Sequence, residues 1–117
     1  MQRIRVPVEG ALLSVTDWRR HEESAGPSTR MPLLFVAGWA STDRTWDLVL
    51  PRLVDHFDLY YLASREKPSC RLDAGASLSP VAHARDLVDV VRYLGLDQRP
   101  YGVVGASTGS NSILDAL

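Results

Sequence analysis

The sequence lacks several features that mark particular classes of protein. Cys70 is the only cysteine, so an internal disulfide is impossible and a zinc site built from four cysteines is excluded. A lone cysteine is also typical of a reducing compartment. The 13 Lys and Arg residues are offset by 14 Asp and Glu residues, and no run of basic residues is present. This charge pattern argues against nucleic acid as a partner, because contacts to phosphates need clustered positive charge.

Long apolar segments are missing as well. The longest one, residues 32–40, is about half as long as a membrane-spanning helix requires. The first ten residues carry charges, but the apolar stretch of a signal peptide does not follow them. We therefore expect a soluble cytoplasmic protein with no membrane contact. The chain has 117 residues, of which 45% are hydrophobic and 23% are charged. This length and composition are typical of one globular domain with a packed core.

The pattern of apolar residues predicts a hairpin followed by a buried strand. Alternating apolar residues over 4–8, the turn sequence Glu9-Gly10 and a second apolar stretch predict two antiparallel strands. Residues 21–29 are polar and predict a loop. The continuous apolar run over 33–37 predicts a central parallel strand that is buried on both faces.

Helices and further strands are predicted in the rest of the chain. Apolar residues at helical spacing predict a crossover helix over 43–56, with a kink at Pro51. A second helix is predicted to begin after the N-cap residue Ser79 and to end at Gly95. Two further buried strands are predicted over 59–63 and 101–105, and a last helix over 110–117. Residues 64–77, between the first of these strands and the second helix, are predicted to form a loop.

These elements together predict the fold class. Parallel strands that alternate with helices form an open α/β sheet, so we expect a mainly parallel sheet with flanking helices and an N-terminal hairpin, in one domain over 1–117. Ligands bind beyond the carboxyl ends of the strands in such sheets. The loops to inspect are therefore those that follow the parallel strands: 38–43, 64–68 and 106–110.

The last of these loops contains a catalytic motif. The segment Gly105-Ala106-Ser107-Thr108-Gly109 matches the pattern G-x-S-x-G at the point where a predicted strand passes into a helix. So sharp a turn leaves the serine strained with its Oγ projecting, and bulky residues two positions to either side would collide. The motif therefore predicts a nucleophile elbow, and a glycine-rich strand-to-helix turn without catalytic meaning is the alternative.

The chain resembles the N-terminal half of an α/β-hydrolase fold protein in this motif, in the hairpin, and in the strand and loop over 32–39. The resemblance implies a serine hydrolase that acts on a small-molecule ester or other acyl substrate, without a metal or cofactor. It implies that Ser107 is the nucleophile and that the backbone N–H groups of Thr108 and Trp39 form the oxyanion hole. It also implies that Trp39 and Arg65 contact the substrate, and the alternative for Arg65, with Glu66 and Lys67, is a solvated loop.

The sequence departs from the family pattern in three places. Ala37-Gly38 stands where the family usually has His-Gly, and residues 63–70 keep only Arg65 of its Asp-x-Arg-Gly-x-Gly-x-Ser loop. The family places an acid and then a histidine after the nucleophile. The ten residues after Ser107 contain no histidine and one acid, Asp115, which is about 12 Å along the same helix.

The third departure predicts an incomplete catalytic site. The three histidines precede the motif and are predicted to be structural or solvent-facing: His21, His56 and His83. We therefore expect the N-terminal portion of a hydrolase that has no appreciable turnover as this chain alone. Such a chain would associate with itself or with a complementing C-terminal half.

Two other functions remain open. One is a hydrolase-like binding protein without catalysis. The other is a Rossmann-type nucleotide-binding unit, because the segment 105–109 also resembles the glycine-rich turn of short-chain dehydrogenases. Asn111 stands at the third glycine of that pattern, however, and the acidic residue expected about 20 positions further on falls beyond Leu117.

Overall fold

The computed structural model describes residues 1–19 and 28–117. Most of the predicted loop over 21–29, with His21, lies outside the described residues. The strands are β1 (Gln2–Val8), β2 (Ala11–Asp17), β3 (Met31–Val36), β4 (Phe57–Leu62), β5 (Arg71–Leu72) and β6 (Gly102–Gly105). The α-helices are α1 (Leu50–Leu53), α2 (Pro80–Tyr93) and α3 (Thr108–Ala116), and two short 3-10 helices cover Asp43–Trp46 and Leu96–Gln98.

The described strands form one mixed sheet in the order β1-β2-β4-β3-β6, and β5 pairs with β2 outside this path. β1 and β2 are the predicted antiparallel hairpin, and β2 is also antiparallel to β4. β4, β3 and β6 are parallel to one another. The predicted fold class is therefore confirmed: the sheet has an N-terminal hairpin, a parallel core and helices on its faces.

The hydrophobic core has two layers, one on each face of the sheet. Leu34 and Val36 of β3 belong to the layer that α2 covers, together with residues of the hairpin. Leu33 and Phe35 alternate with them and pack in the opposite layer with Leu50 of α1. Because successive residues of a strand point to opposite faces, β3 needs apolar residues at every position. This explains the continuous apolar run in the sequence.

Helix α2 follows the sequence prediction closely. The Ser79 hydroxyl accepts a hydrogen bond from the Ala82 N–H at 3.2 Å, and Pro80 occupies the first helical position. Gly95, just beyond the helix, has a φ of +67°. Both ends of the helix thus have the residues that satisfy their unpaired backbone groups.

The predicted helix over 43–56 is not continuous. A 3-10 helix over Asp43–Trp46 is followed by a turn and then by the short α1. Pro51 has no N–H, and its ring would clash with a preceding helical turn, so an α-helix can only begin around it. The apolar residues keep their predicted role, since the Trp46 ring lies 5.0 Å from the Phe35 ring and Leu50 is fully buried.

The last predicted strand and helix also need correction. β6 is less buried than the sequence predicts: Val104 is 42% exposed, because β3 is its only partner in the part of the chain that is described. Helix α3 begins at Thr108, two residues before the predicted start, and the predicted loop over 64–77 contains β5. Among the described helices, none has the length and apolar character that crossing a membrane demands.

The two-layer core predicts how substitutions affect stability. Leu34 is fully buried in the central strand, whereas Leu114 on α3 is 67% exposed. We expect Leu34→Ala to lower the free energy of unfolding by about 2–5 kcal/mol, because it leaves a cavity in the sheet's core. The control Leu114→Ala should change it by less than about 0.5 kcal/mol. Denaturant unfolding measures both, and equal losses would contradict the described packing.

Candidate active site

The candidate site lies at the carboxyl ends of β3 and β6. The chain runs from β3 to β4 on one side and returns to place β6 on the other side of β3. The connections after β3 and β6 therefore diverge, which opens a crevice at this edge of a parallel sheet. The residues 37–41 after β3 and 106–108 after β6 meet there.

The elbow has the predicted backbone strain. Ser107 has φ 55° and ψ −121°, which is rare for a residue with a side chain, and it is exposed. Ala106 and Ser107 form the sharp turn between β6 and α3, and the Gly109 N–H donates to the Ala106 carbonyl at 3.0 Å. The serine is therefore displayed at the sheet's edge and is not part of the core.

The two glycines of the motif allow this turn because the backbone is crowded on both sides. A Cβ on Gly105 would lie 2.6 Å from the carbonyl carbon of Gly109, and a Cβ on Gly109 would overlap the Val36 carbonyl oxygen. Gly38, across the crevice, has equally little space: a Cβ there would lie 2.7 Å from the Ala106 carbonyl oxygen. Helix α3 can approach β3 and β6 only if these positions lack side chains.

The two predicted oxyanion donors lie beside the elbow. Thr108 is the first residue of α3, so its N–H has no partner within the helix, and the helix dipole there favours negative charge. The Trp39 N–H donates to the Thr108 Oγ1 at 2.7 Å. The Trp39 donor thus points toward the elbow, and the Thr108 hydroxyl is its acceptor in this structure.

Arg65 forms a buried ion pair that the sequence did not predict. It is 4% exposed, and its Nε and Nη2 each donate to a carboxylate oxygen of Asp86 at 2.8 Å. Its other hydrogen bonds go to the carbonyl groups of Ser77 and Glu9. The hydrogen bonds with Asp86 raise the pKa of Arg65 above its usual range. The structure therefore places Arg65 in an internal ion pair that joins the loop after β4, α2 and the hairpin turn.

The neighbouring Glu66 and His83 form a pair that the sequence analysis missed. Glu66 Oε2 lies 3.0 Å from His83 Nε2, and Glu66 Oε1 accepts from the Ser64 hydroxyl at 2.6 Å. Burial alone would raise the pKa of Glu66, but the hydrogen bonds from His83 and Ser64 outweigh it and lower the pKa to about 2. The hydrogen bond with Glu66 raises the pKa of His83, against the opposing effect of burial.

Neither described histidine is hydrogen-bonded to Ser107. His83 Nδ1 lies 2.9 Å from the Ser79 carbonyl oxygen, so both of its ring nitrogens face acceptors and its protonated form is favoured. His56 is exposed and precedes β4, at the end of the sheet opposite the elbow. Asp115 is exposed on α3. Within the part of the chain that is described, Ser107 thus has no hydrogen bond to a histidine.

A cavity of about 280 Å³ adjoins the elbow between α2, α3 and the end of the sheet. Its floor is apolar, with Leu13, Val36 and Leu62, and its rim includes Trp39 and Thr108. An apolar cavity with a few polar groups beside a strained serine is the arrangement expected of a small-molecule site.

The Glu66–His83 pair predicts a pH dependence of stability. Glu66 stabilises the fold above its ordinary pKa of 4.5, and this contribution is lost as the pH falls toward about 2. His83 stabilises the fold below its ordinary pKa of 6.5, and this contribution is lost as the pH rises through the raised value. Denaturant unfolding should show the pair's contribution to the free energy of unfolding at its greatest between pH 4.5 and pH 6.5. A variant His83→Asn should lose the decline on the alkaline side, and an unchanged profile would contradict the pair.

Several solved structures are similar to this chain in their fold. A candidate epoxide hydrolase from Pseudomonas aeruginosa matches with a TM-score of 0.79 and 22% identity, over 98% of this chain and 36% of that protein. An α/β-hydrolase fold protein from Burkholderia ambifaria matches with a TM-score of 0.79 and 14% identity, over 97% of this chain and 37% of that one. A candidate lipase from Acinetobacter baumannii matches with a TM-score of 0.77 and 19% identity, over 97% of this chain and 35% of that one.

Neither a protein-family model nor a curated protein sequence matches this chain. The chain spans little more than a third of the length of the solved proteins. At these identities the likeness concerns the fold, and the elements that it covers are the hairpin, the parallel core and the elbow. The described structure therefore has the fold of the N-terminal third of an α/β-hydrolase.

Proposed function

We propose that this chain is the N-terminal part of a serine hydrolase that acts on an ester or another acyl substrate, with Ser107 as its nucleophile. The observation that supports this most strongly is the backbone of Ser107. A serine with positive φ is costly, and it persists only where the surrounding structure holds it. The crowded backbone at Gly105 and Gly109 keeps Ser107 in this conformation and leaves its side chain exposed.

The proposed chemistry uses the groups around the elbow. The Ser107 Oγ attacks the acyl carbon, and the carbonyl oxygen becomes negatively charged as the bond forms. The Thr108 N–H and the Trp39 N–H stabilise this charge, and the Trp39 N–H exchanges its hydrogen bond to the Thr108 hydroxyl for one to the oxyanion. The Ser107 proton passes to a base and from there to the leaving alcohol as the ester C–O bond breaks. Water then hydrolyses the acyl-enzyme, which releases the acid and restores the Ser107 hydroxyl.

In this proposal the base and its acid partner come from outside the 117 residues. His83 has acceptors at both ring nitrogens, and His56 lies at the other end of the sheet. Without a base, the Ser107 hydroxyl stays protonated and is a weak nucleophile at neutral pH. We therefore propose that this chain alone has no appreciable turnover. The exposed edge of β6 is the surface at which a complementing C-terminal half or a second copy would add.

A binding protein without catalysis is the second candidate. It is favoured by the internal hydrogen bond from the Trp39 N–H to Thr108 Oγ1, which occupies a donor that catalysis needs. A Rossmann-type unit is disfavoured. Its glycine-rich turn follows the first parallel strand, whereas the first parallel strand here, β3, is followed by Ala37-Gly38-Trp39.

The proposal predicts a difference between this chain and a longer product of the same gene. With a short-chain p-nitrophenyl ester, the 117-residue chain should show no turnover that Ser107→Ala removes. A product extended through the downstream coding sequence should show turnover, and Ser107→Ala should reduce it by about 10³-fold or more. A sizing column run beside the assay reports whether the short chain self-associates through its exposed edge.

Labelling with a fluorophosphonate separates the candidates in the extended product. Peptide mapping should find the label on Ser107. The control Ser77→Ala, which removes an exposed serine from the loop before α2, should leave labelling intact. An extended product that neither labels nor turns over would favour the binding protein, and tight NAD binding would favour the Rossmann-type unit. Turnover that depends on Ser107 in a monomeric short chain would overturn the claim that the base is missing.

A further inference from the structure

The carbonyl oxygen of Gly38 receives an unusual number of hydrogen bonds. Lys67 Nζ and Ser41 Oγ each donate to it at 2.8 Å, and the Ser41 N–H lies 3.4 Å away. Lys67 is the only lysine in the chain, and its side chain is 9% exposed. A nearly buried ammonium aimed at one backbone carbonyl is a strong, charge-assisted contact.

This carbonyl belongs to the same peptide group as the Trp39 N–H. A trans peptide is planar, and its C=O and N–H point in opposite directions. A group that holds the Gly38 oxygen therefore also fixes the direction of the Trp39 N–H, which points to Thr108 Oγ1 at 2.7 Å. The hydrogen bonds to the oxygen also polarise the peptide and make the N–H a better donor.

The loop needs such an anchor. Ala40 has a φ of +57°, a conformation that residues with a Cβ rarely adopt. This strain lies one residue beyond Trp39, so a loop without external contacts would relax and re-aim the donor. Lys67 and Ser41 supply the contacts.

Lys67 is itself held in place by its neighbours. Its Nζ lies 3.6 Å from Glu66 Oε1, and Glu66 is hydrogen-bonded to His83 on α2 and to Ser64. The Lys67 N–H closes a turn by donating to the Ser64 carbonyl at 2.9 Å. The ammonium therefore projects from a rigid turn.

We propose that Lys67 is a positioning residue: its ammonium holds and polarises the Gly38–Trp39 peptide, so that the Trp39 N–H is aimed at the elbow as an oxyanion donor. The assignment of the donor rests on the proposed function, whereas the orientation of the peptide is a property of this chain alone. The two claims can therefore fail separately.

Nuclear magnetic resonance on the 117-residue chain tests the orientation. In Lys67→Met, which keeps an unbranched side chain only one atom shorter and removes the donor, the Trp39 amide proton should shift upfield and exchange with water about tenfold faster. Lys67→Arg should restore most of the wild-type behaviour. Arg85→Met, which removes an exposed cation from α2, should leave the Trp39 amide unchanged.

A measurement on the unmodified chain covers the case in which Lys67→Met does not fold. Because Lys67 is the only lysine, its ammonium gives one side-chain signal, which should be protected from exchange and coupled to the Gly38 carbonyl carbon. A rapidly exchanging ammonium without this coupling, or an unchanged Trp39 amide in folded Lys67→Met, would overturn the proposal.

In the extended product the same variants separate the two claims. An oxyanion exists only in the transition state, so Lys67→Met should lower kcat by about 10–100-fold with little change in KM. If the orientation is lost in Lys67→Met but kcat is unchanged, Trp39 is not the donor and the orienting role alone stands. If Ser107-dependent turnover is absent in wild type, the proposed function fails, and the magnetic resonance result still decides the role of Lys67.

Discussion

The close approach of helix α3 to strands β3 and β6 is the contact on which the site depends. Gly109 lies against the Val36 carbonyl and Gly105 lies against Gly109, without room for a side chain at either position. With the helix this near to the sheet, the chain must turn within two residues, and Ser107 takes the strained conformation that results. The first turn of α3 and the loop at Gly38 then meet across a narrow crevice.

A polar network behind the crevice holds the loops that surround it. Arg65 joins Asp86 of α2 to the hairpin turn, while Lys67 holds the Gly38 carbonyl. A buried ion pair contributes little net stability, because desolvation offsets the attraction between the charges. Its effect here is geometric, because it fixes the loop after β4 relative to α2 and to the hairpin turn. The loop after β4 therefore supports the site, and its first residues, Ala63 and Ser64, also line the cavity.

Part of this structure could be predicted from local sequence patterns. The apolar run of β3 and the caps of α2 depend on neighbouring residues, and the elbow depends on the spacing of Gly105 and Gly109. The ion pairs could not be predicted, because Arg65 and Asp86 are 21 residues apart and meet only when α2 packs on the sheet. The exposure of β6 likewise depends on which strands pair with it. Charged residues in a loop gave no sign that they would be buried.

The central claim is that backbone crowding at Gly109 creates the elbow, and Gly109→Ala tests it most directly. In an ordinary helix, replacing glycine by alanine stabilises the protein by about 0.5–1 kcal/mol. The described structure predicts the opposite sign, since the new Cβ would overlap the Val36 carbonyl oxygen. Denaturant unfolding of Gly109→Ala should therefore show a loss of about 1–3 kcal/mol relative to wild type. An unchanged or increased free energy of unfolding would contradict the account.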